Sequence, residues 1–202
     1  LIIDIGHSKT TFCVLLDGRP AMSHSIGTGG RAMTEAIASE TGLPVDEAEM
    51  RKCESGVLGH GAVGGSPGVG AILDRIAREA VRALEAADTR SGPVTQNAKI
   101  TLVGGSARLD RIDEFLEKRT GLDTARLRMP ADSPHAKLAE GIDVVLFGPA
   151  LALALRLSGE ASTQMNFRKG EFAYRQDFGD YFRRELRPTA ALAAVLIGLL
   201  VI

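Results

Sequence analysis

The chain has 202 residues, enough for one large domain or one domain with an appendage. Its 24 basic side chains against 25 acidic ones leave a net charge of −1, which excludes a general nucleic-acid binder, because no excess of Lys and Arg exists to neutralise phosphates. Cys13 and Cys53 match no metal spacing and suit a reducing compartment, and with Trp absent and aromatics few, the core rests on Leu, Val, Ile and Ala.

Leu1 to Ile5 and Thr10 to Leu16 are apolar, β-rich runs on either side of the tetrad Gly6-His7-Ser8-Lys9. Asp17-Gly18 follows, a pair suited to a hairpin turn whose two central residues need positive φ, so Arg19 to Ile26 folds back as a third antiparallel strand. Gly27-Thr28-Gly29-Gly30 ends this meander. A helix follows in Arg31 to Gly42, with Met33, Ala36 and Ile37 on one side and Gly42 as its stop. Gly29-Gly30 is read as a point of close helix–sheet packing.

A second helix runs from Val45 to about Cys53, with Asp46 and Glu47 placed to complement its dipole. Between Gly56 and Gly70 stand seven glycines, read as a flexible loop or shortened insertion. The segment lacks the Gly-Lys-Ser/Thr ending of a P-loop. Ala71 to Ala87 carries Ile72, Ile76, Ala80 and Leu84 at helical spacing, and its Arg75, Arg78 and Arg82 form a basic stripe able to meet an acidic partner.

Lys99 to Val103 reads as a strand, Gly104-Gly105 as a turn and Leu109 to Arg119 as a helix, on which Asp110, Asp113, Glu114 and Glu117 form a solvated face. A short strand in Ala125 to Met129 stops at Pro130, and Gly148 to Leu157 is a last helix. A meander followed by α/β alternation implies an α/β fold: a mixed five-stranded sheet with helices on both faces. The four histidines, His7, His24, His60 and His135, show no ligand spacing, so no metal site is expected.

Thr189 to Ile202 carries no charge and no polar face. As a helix it spans ~21 Å, against the ~20 apolar residues that a bilayer requires, and it is read as the start of a transmembrane helix. Arg183, Arg184 and Arg187 precede it and place residues 1–188 on the cytoplasmic side of a single span.

The order of elements resembles one half, the second, of the actin-like ATPase (ribonuclease H-like) fold. "DIGHSKTT" stands where the strand–turn–strand that grips the β- and γ-phosphates would be, and "LVGGSARLDRIDEFLEKRTG" where an adenosine motif would be. "SIGTGGRAMTEAIASETGLPVDEAEMRKCE" is similar to the middle of the PilM and GspL proteins, the actin-like components of type IV pilus and type II secretion machines. The resemblance covers about residues 1–160, followed by a linker over 161–188. Within that linker Asn166, Gly170, Glu171 and Phe172 echo a pattern of the secretion branch, and the apolar tail favours the same branch.

The resemblance implies a vestigial nucleotide site at Asp4, Gly6, Ser8, Thr10, Thr11, Gly104, Gly105 and Ser106. Asp4 would organise a magnesium ion, the hydroxyls would complete a phosphate shell, and ATP with Mg would belong to the full-length protein. The Gly-Thr expected after the first glycine is missing, and His7 and Lys9 stand where active relatives carry small residues. The first phosphate loop and the hydrolytic acid of the fold belong to its other half. The implied protein is therefore a non-enzymatic scaffold with no catalytic residues. It would link a cytoplasmic secretion ATPase to other inner-membrane platform proteins, bind no nucleic acid and accommodate a homodimer. The alternatives are a PilM-type ATP-binding protein of pilus assembly and a sugar- or acyl-kinase relative, against which the apolar tail counts.

Overall fold

The computed structural model describes residues 1–55, 65–92 and 95–157. All of them lie in the first of two units, Leu1–Ser162 and Thr163–Ile202, so the transmembrane and linker expectations fall outside the described residues. No helix among the described residues is long and apolar enough to cross a membrane.

Five strands, β1 (Ile2–Ile5), β2 (Thr10–Leu16), β3 (Arg19–Ile26), β4 (Ile100–Val103) and β5 (Thr124–Arg126), form one sheet in the order β3-β2-β1-β4-β5. β1, β2 and β3 pair antiparallel, while β1–β4 and β4–β5 are parallel, as crossovers through helices require. The β2–β3 hairpin turns on Asp17 (φ 49°) and Gly18 (φ 75°), both in the left-handed region. The helices are α1 (Gly30–Thr41), α2 (Val45–Ser55), α3 (Pro67–Ser91), α4 (Ile112–Thr120) and α5 (Val144–Leu157).

Strand alternation sends Ile3, Ile5, Phe12, Val14, Ile100 and Leu102 to one face, where all are buried. α3 lies across that face with Val69, Leu73, Ile76, Ala80 and Leu84 inward, and α1 and α4 flank it through Met33, Ile37, Ile112, Phe115 and Leu116. α5 packs against the opposite face at β4, where Gly148 lies under Leu127 and Val103. The mixed five-stranded sheet with helices on both faces expected from the sequence is the one observed.

Several boundaries differ from the sequence reading, among them the end of α3, placed at Ala87 by the sequence and found at Ser91. The glycine-rich segment was expected to be loop through Gly70, yet α3 begins at Pro67. Ser66 caps it, accepting from the Val69 N–H at 3.1 Å, and proline suits a first helical position. Glycine is needed at position 68 because a Cβ there would stand 2.8 Å from that of Ala36, and the Gly68 N–H donates to Glu40 Oε1 at 2.6 Å, tying α3 to α1.

α4 starts at Ile112 rather than Leu109, since Gly105–Arg108 forms a 3₁₀ turn and Arg111 (φ 56°) breaks the path. β5 ends at Arg126, whose guanidinium turns to donate to the Leu109 carbonyl at 2.8 Å. α5 begins at Val144, because Asp143 accepts from the Val145 and Leu146 N–H groups at 3.1 and 3.3 Å. Pro149 is tolerated within it for a visible reason. Lacking an N–H, it frees the Val145 carbonyl, and the Gly104 N–H donates to that oxygen at 2.8 Å.

Candidate functional site

The β1–β2 turn and the β4–α4 turn, distant in sequence, come together because β1 and β4 are neighbours in the sheet. Gly6 closes its turn by donating to the Lys9 carbonyl at 3.0 Å. The start of α1 rests on the same turn: the Gly30 N–H donates to the Gly6 carbonyl at 2.8 Å and the Arg31 N–H to the His7 carbonyl at 2.7 Å. This contact requires Gly29. A Cβ there would stand 2.5 Å from the Gly6 oxygen and 2.9 Å from the His7 oxygen, backbone atoms that cannot recede.

A cleft of about 600 Å³ opens beside this junction, walled by His7, Gly30, Glu49, Lys52, Gly105 and Ser106, with Cys53, Arg108 and Asp110 at its margin. Lys52 is buried in its wall and donates to the Gly30 carbonyl at 3.1 Å, Thr34 Oγ1 at 2.8 Å and Glu49 Oε2 at 2.7 Å. The Thr34 hydroxyl also reaches Glu49. Burial works against the Glu49 carboxylate, but hydrogen bonds from Lys52 and Thr34 and the Lys52 charge outweigh it and hold its pKa below the ordinary 4.5. Burial, and then neighbouring Glu49, push the Cys53 thiol up. Arg108 is anchored at the rim by Asp143, 3.1 Å away.

Of the residues singled out from sequence, Gly105 and Ser106 line the cleft. Ser106 is buried, and its hydroxyl lies so close over Gly30 that no side chain fits there. Gly104 (φ 95°) packs on Asp4, whose half-buried carboxyl is raised above the ordinary 3.8 by desolvation, with the Lys9 charge pulling the other way. Gly6 supports α1 through its carbonyl, and Ser8 is exposed on the turn. Thr10 is buried and donates to the Thr28 carbonyl at 2.7 Å, while Thr11 shares a 2.9 Å hydrogen bond with Ser25 on β3. Both hydroxyls are thus engaged, Thr10 with the β3–α1 connection and Thr11 within the sheet.

Glu49, Lys52 and Arg108 were missed by sequence reasoning. Glu49 and Lys52 stand three apart on a strongly charged helix, a pattern that ordinarily marks a solvated face. The available signal was the small-residue start of α1, whose bare Gly30 leaves room for a lysine head.

The family model for cell division protein FtsA matches residues 1–155. The chain belongs to the FtsA family. Among solved structures, this FtsA-family chain is similar to a chain of a PilM–PilN type IV pilus biogenesis complex, with TM-score 0.58 and 23% identity over 77% of this chain and 44% of that one. It is also similar to the ethanolamine utilization protein EutJ from Carboxydothermus hydrogenoformans, with TM-score 0.52 and 21% identity over 62% of this chain and 42% of that one. MreB5 of Spiroplasma citri bound to AMPPNP gives TM-score 0.52 and 20% identity, covering 78% and 54% of the two chains. At these identities the likeness is one of fold, the actin-like ATPase fold, and the chain spans about half or less of the length of each neighbour.

Proposed function

We propose that this chain is the actin-like module of a pilus-type assembly machine, a scaffold whose cleft takes the nucleoside end of a nucleotide and which hydrolyses none by itself. The observation that carries this reading is the meeting of Lys52, Glu49, Gly105 and Ser106 around one 600 Å³ cleft. Such a cleft offers the Glu49 carboxylate, held in place by Lys52 whose three N–H groups are all spent on the wall, and the Ser106 hydroxyl to a polar ring system. The phosphate end is less well served. The first donors of α1 are spent on the Gly6 and His7 carbonyls, and Thr10 and Thr11 are engaged elsewhere. The fold shared with a chain of the PilM–PilN complex supports the pilus setting.

Calorimetric titration of adenosine and of ATP into the full natural protein tests the proposal. Both are expected to bind with affinities within about tenfold of each other, and Lys52→Met is expected to weaken both by about tenfold or more. Failure of both ligands to bind, or ATP binding that Lys52→Met leaves unchanged, sinks it.

A second reading has its own support in Thr189 to Ile202, apolar throughout and preceded by Arg183, Arg184 and Arg187. On it the module is a non-catalytic inner-membrane platform component of type II secretion, with residues 1–188 cytoplasmic and docked on the secretion ATPase. Alkaline carbonate extraction of membranes separates the two readings: release favours the pilus-type protein, and retention until detergent is added favours the secretion platform.

A further inference from the structure

More acid than base lines the cleft. Glu49, Glu54 and Asp110 stand against Lys52 and Arg108, an excess of one negative charge. The two cations are also committed. Lys52 spends its three N–H groups on the wall, and Arg108 Nε is held 3.1 Å from Asp143, outside the lining. Glu54 and Asp110 are exposed, with no ion-pair partner among the described residues. On the side of the β1–β2 turn, His7 is the member of Gly6-His7-Ser8-Lys9 that lines the cleft. Its backbone is fixed, because its carbonyl accepts from the Arg31 N–H at 2.7 Å and the Gly6 N–H closes the turn on the Lys9 carbonyl. Its exposed ring has no hydrogen-bond partner among the described residues.

We propose that the cleft selects a nucleoside carrying a single phosphate, and that His7 is the residue that meets that phosphate. The inference rests on the nucleotide reading and deepens it. A neutral imidazole donates one N–H in either tautomer, and a phosphate oxygen accepts it. Other donors on this side are taken. Those at the start of α1 go to the Gly6 and His7 carbonyls, and the Thr10 and Thr11 hydroxyls to Thr28 and Ser25. A second or third phosphate therefore adds charge without gaining a donor from the turn. That charge also falls beside Glu54 and Asp110, whose repulsion water and salt weaken but do not remove. The imidazole itself fills space that a small residue at position 7 would leave open to a longer tail.

Calorimetric titration of adenosine, AMP, ADP and ATP into the full natural protein reads the selection. AMP is expected to bind about threefold tighter than adenosine, and each phosphate added beyond the first to weaken binding by about threefold. His7 is exposed, so its substitutions leave the core untouched. His7→Ala is expected to bring the ratio of AMP to adenosine affinity down to about one, whereas His7→Gln, which keeps an N–H donor, is expected to preserve most of it. Glu54→Gln with Asp110→Asn is expected to bring ATP within about twofold of AMP. ATP binding more tightly than AMP overturns the inference, as does an AMP preference that His7→Ala leaves intact or that Arg108→Gln abolishes. Adenosine binding with AMP no tighter overturns it alone and leaves the nucleotide reading standing. Failure of every ligand to bind sinks that reading and this inference together.

Discussion

Gly104→Ala is the substitution through which the junction of the two turns is best tested. Gly104 has φ 95° and ψ 164°, a region open to glycine alone, so any L side chain there carries strain of about 1–3 kcal/mol. Space is also lacking. The added Cβ would stand 2.7 Å from the Ile5 oxygen and 2.8 Å from its carbon, and would press on the Asp4 carboxylate. Ile5 is held in the ladder opposite Thr10, so its backbone cannot recede, and overpacking of this kind costs roughly 1–3 kcal/mol. If the turn shifts instead, the Gly104 hydrogen bond to Val145 stretches, a loss of about 1 kcal/mol.

The strain and packing costs together come to about 2–6 kcal/mol, a large share of the roughly 5–15 kcal/mol typical of a domain. Gly121→Ala supplies the comparison. Gly121 also has positive φ (71°) but nothing lies within 4 Å of a Cβ there, so only the left-handed strain applies, about 1–2 kcal/mol. Urea unfolding followed by far-UV circular dichroism, with the slope checked for constancy, measures both. Equal destabilisation by the two substitutions would refute the packing part of this reasoning and leave backbone strain as the whole effect.

Lys52→Met removes three hydrogen bonds from the cleft wall but leaves Glu49 partly able to reach water, so a loss of about 2–3 kcal/mol in urea unfolding is expected. The same variant reports on pH. A carboxylate with a depressed native pKa adds stability that is fully present above its unfolded pKa near 4.5 and disappears as pH falls through the native value, so acid sensitivity in that range should shrink in Lys52→Met. Asp4 has the opposite sign: its native pKa is raised, so its charge works against folding increasingly as pH rises from 3.8 through the native value. Asp4→Asn should therefore unfold at higher urea than the parent at neutral pH, with the advantage gone below 3.8, and a lower midpoint at neutral pH would contradict it. Thr10→Val strands the buried Thr28 carbonyl and should cost about 1–2 kcal/mol, whereas Thr11→Val, on the half-exposed side, should stay within about 0.5 kcal/mol.

Where the physics is local, the fold is legible in the sequence. Asp17-Gly18 specifies its hairpin because few other pairs accept positive φ twice, and Ile76, Ala80 and Leu84 mark the inward side of α3 by spacing, whereas Ile72 is only partly buried and Leu73 takes the inward place beside it. Legibility fails where a backbone group is satisfied from far along the chain. Pro149 reads as the first turn of a helix begun at Gly148, and only the distant Gly104 N–H, taking up the orphaned Val145 carbonyl, lets it sit inside one. Arg111 carries no mark of its left-handed conformation, which the burial of Leu109 and Ile112 on either side imposes. Lys52 is the clearest case. A lysine on a charged helix is ordinarily solvated, and its burial depends on the Gly30 carbonyl and the Thr34 hydroxyl, supplied by another helix.

The same dependence explains the character of the cleft. An actin-like turn can hold phosphate only through N–H groups left free to point at it, and here the first donors of α1 are bonded to the carbonyls of Gly6 and His7. Those bonds, made possible by Gly29, hold α1 against the turn and so fix Gly30, against which both Lys52 and Ser106 are placed. On the proposed reading, the contact that would build the nucleoside side of the cleft uses the first donors of α1 on the turn's own carbonyls.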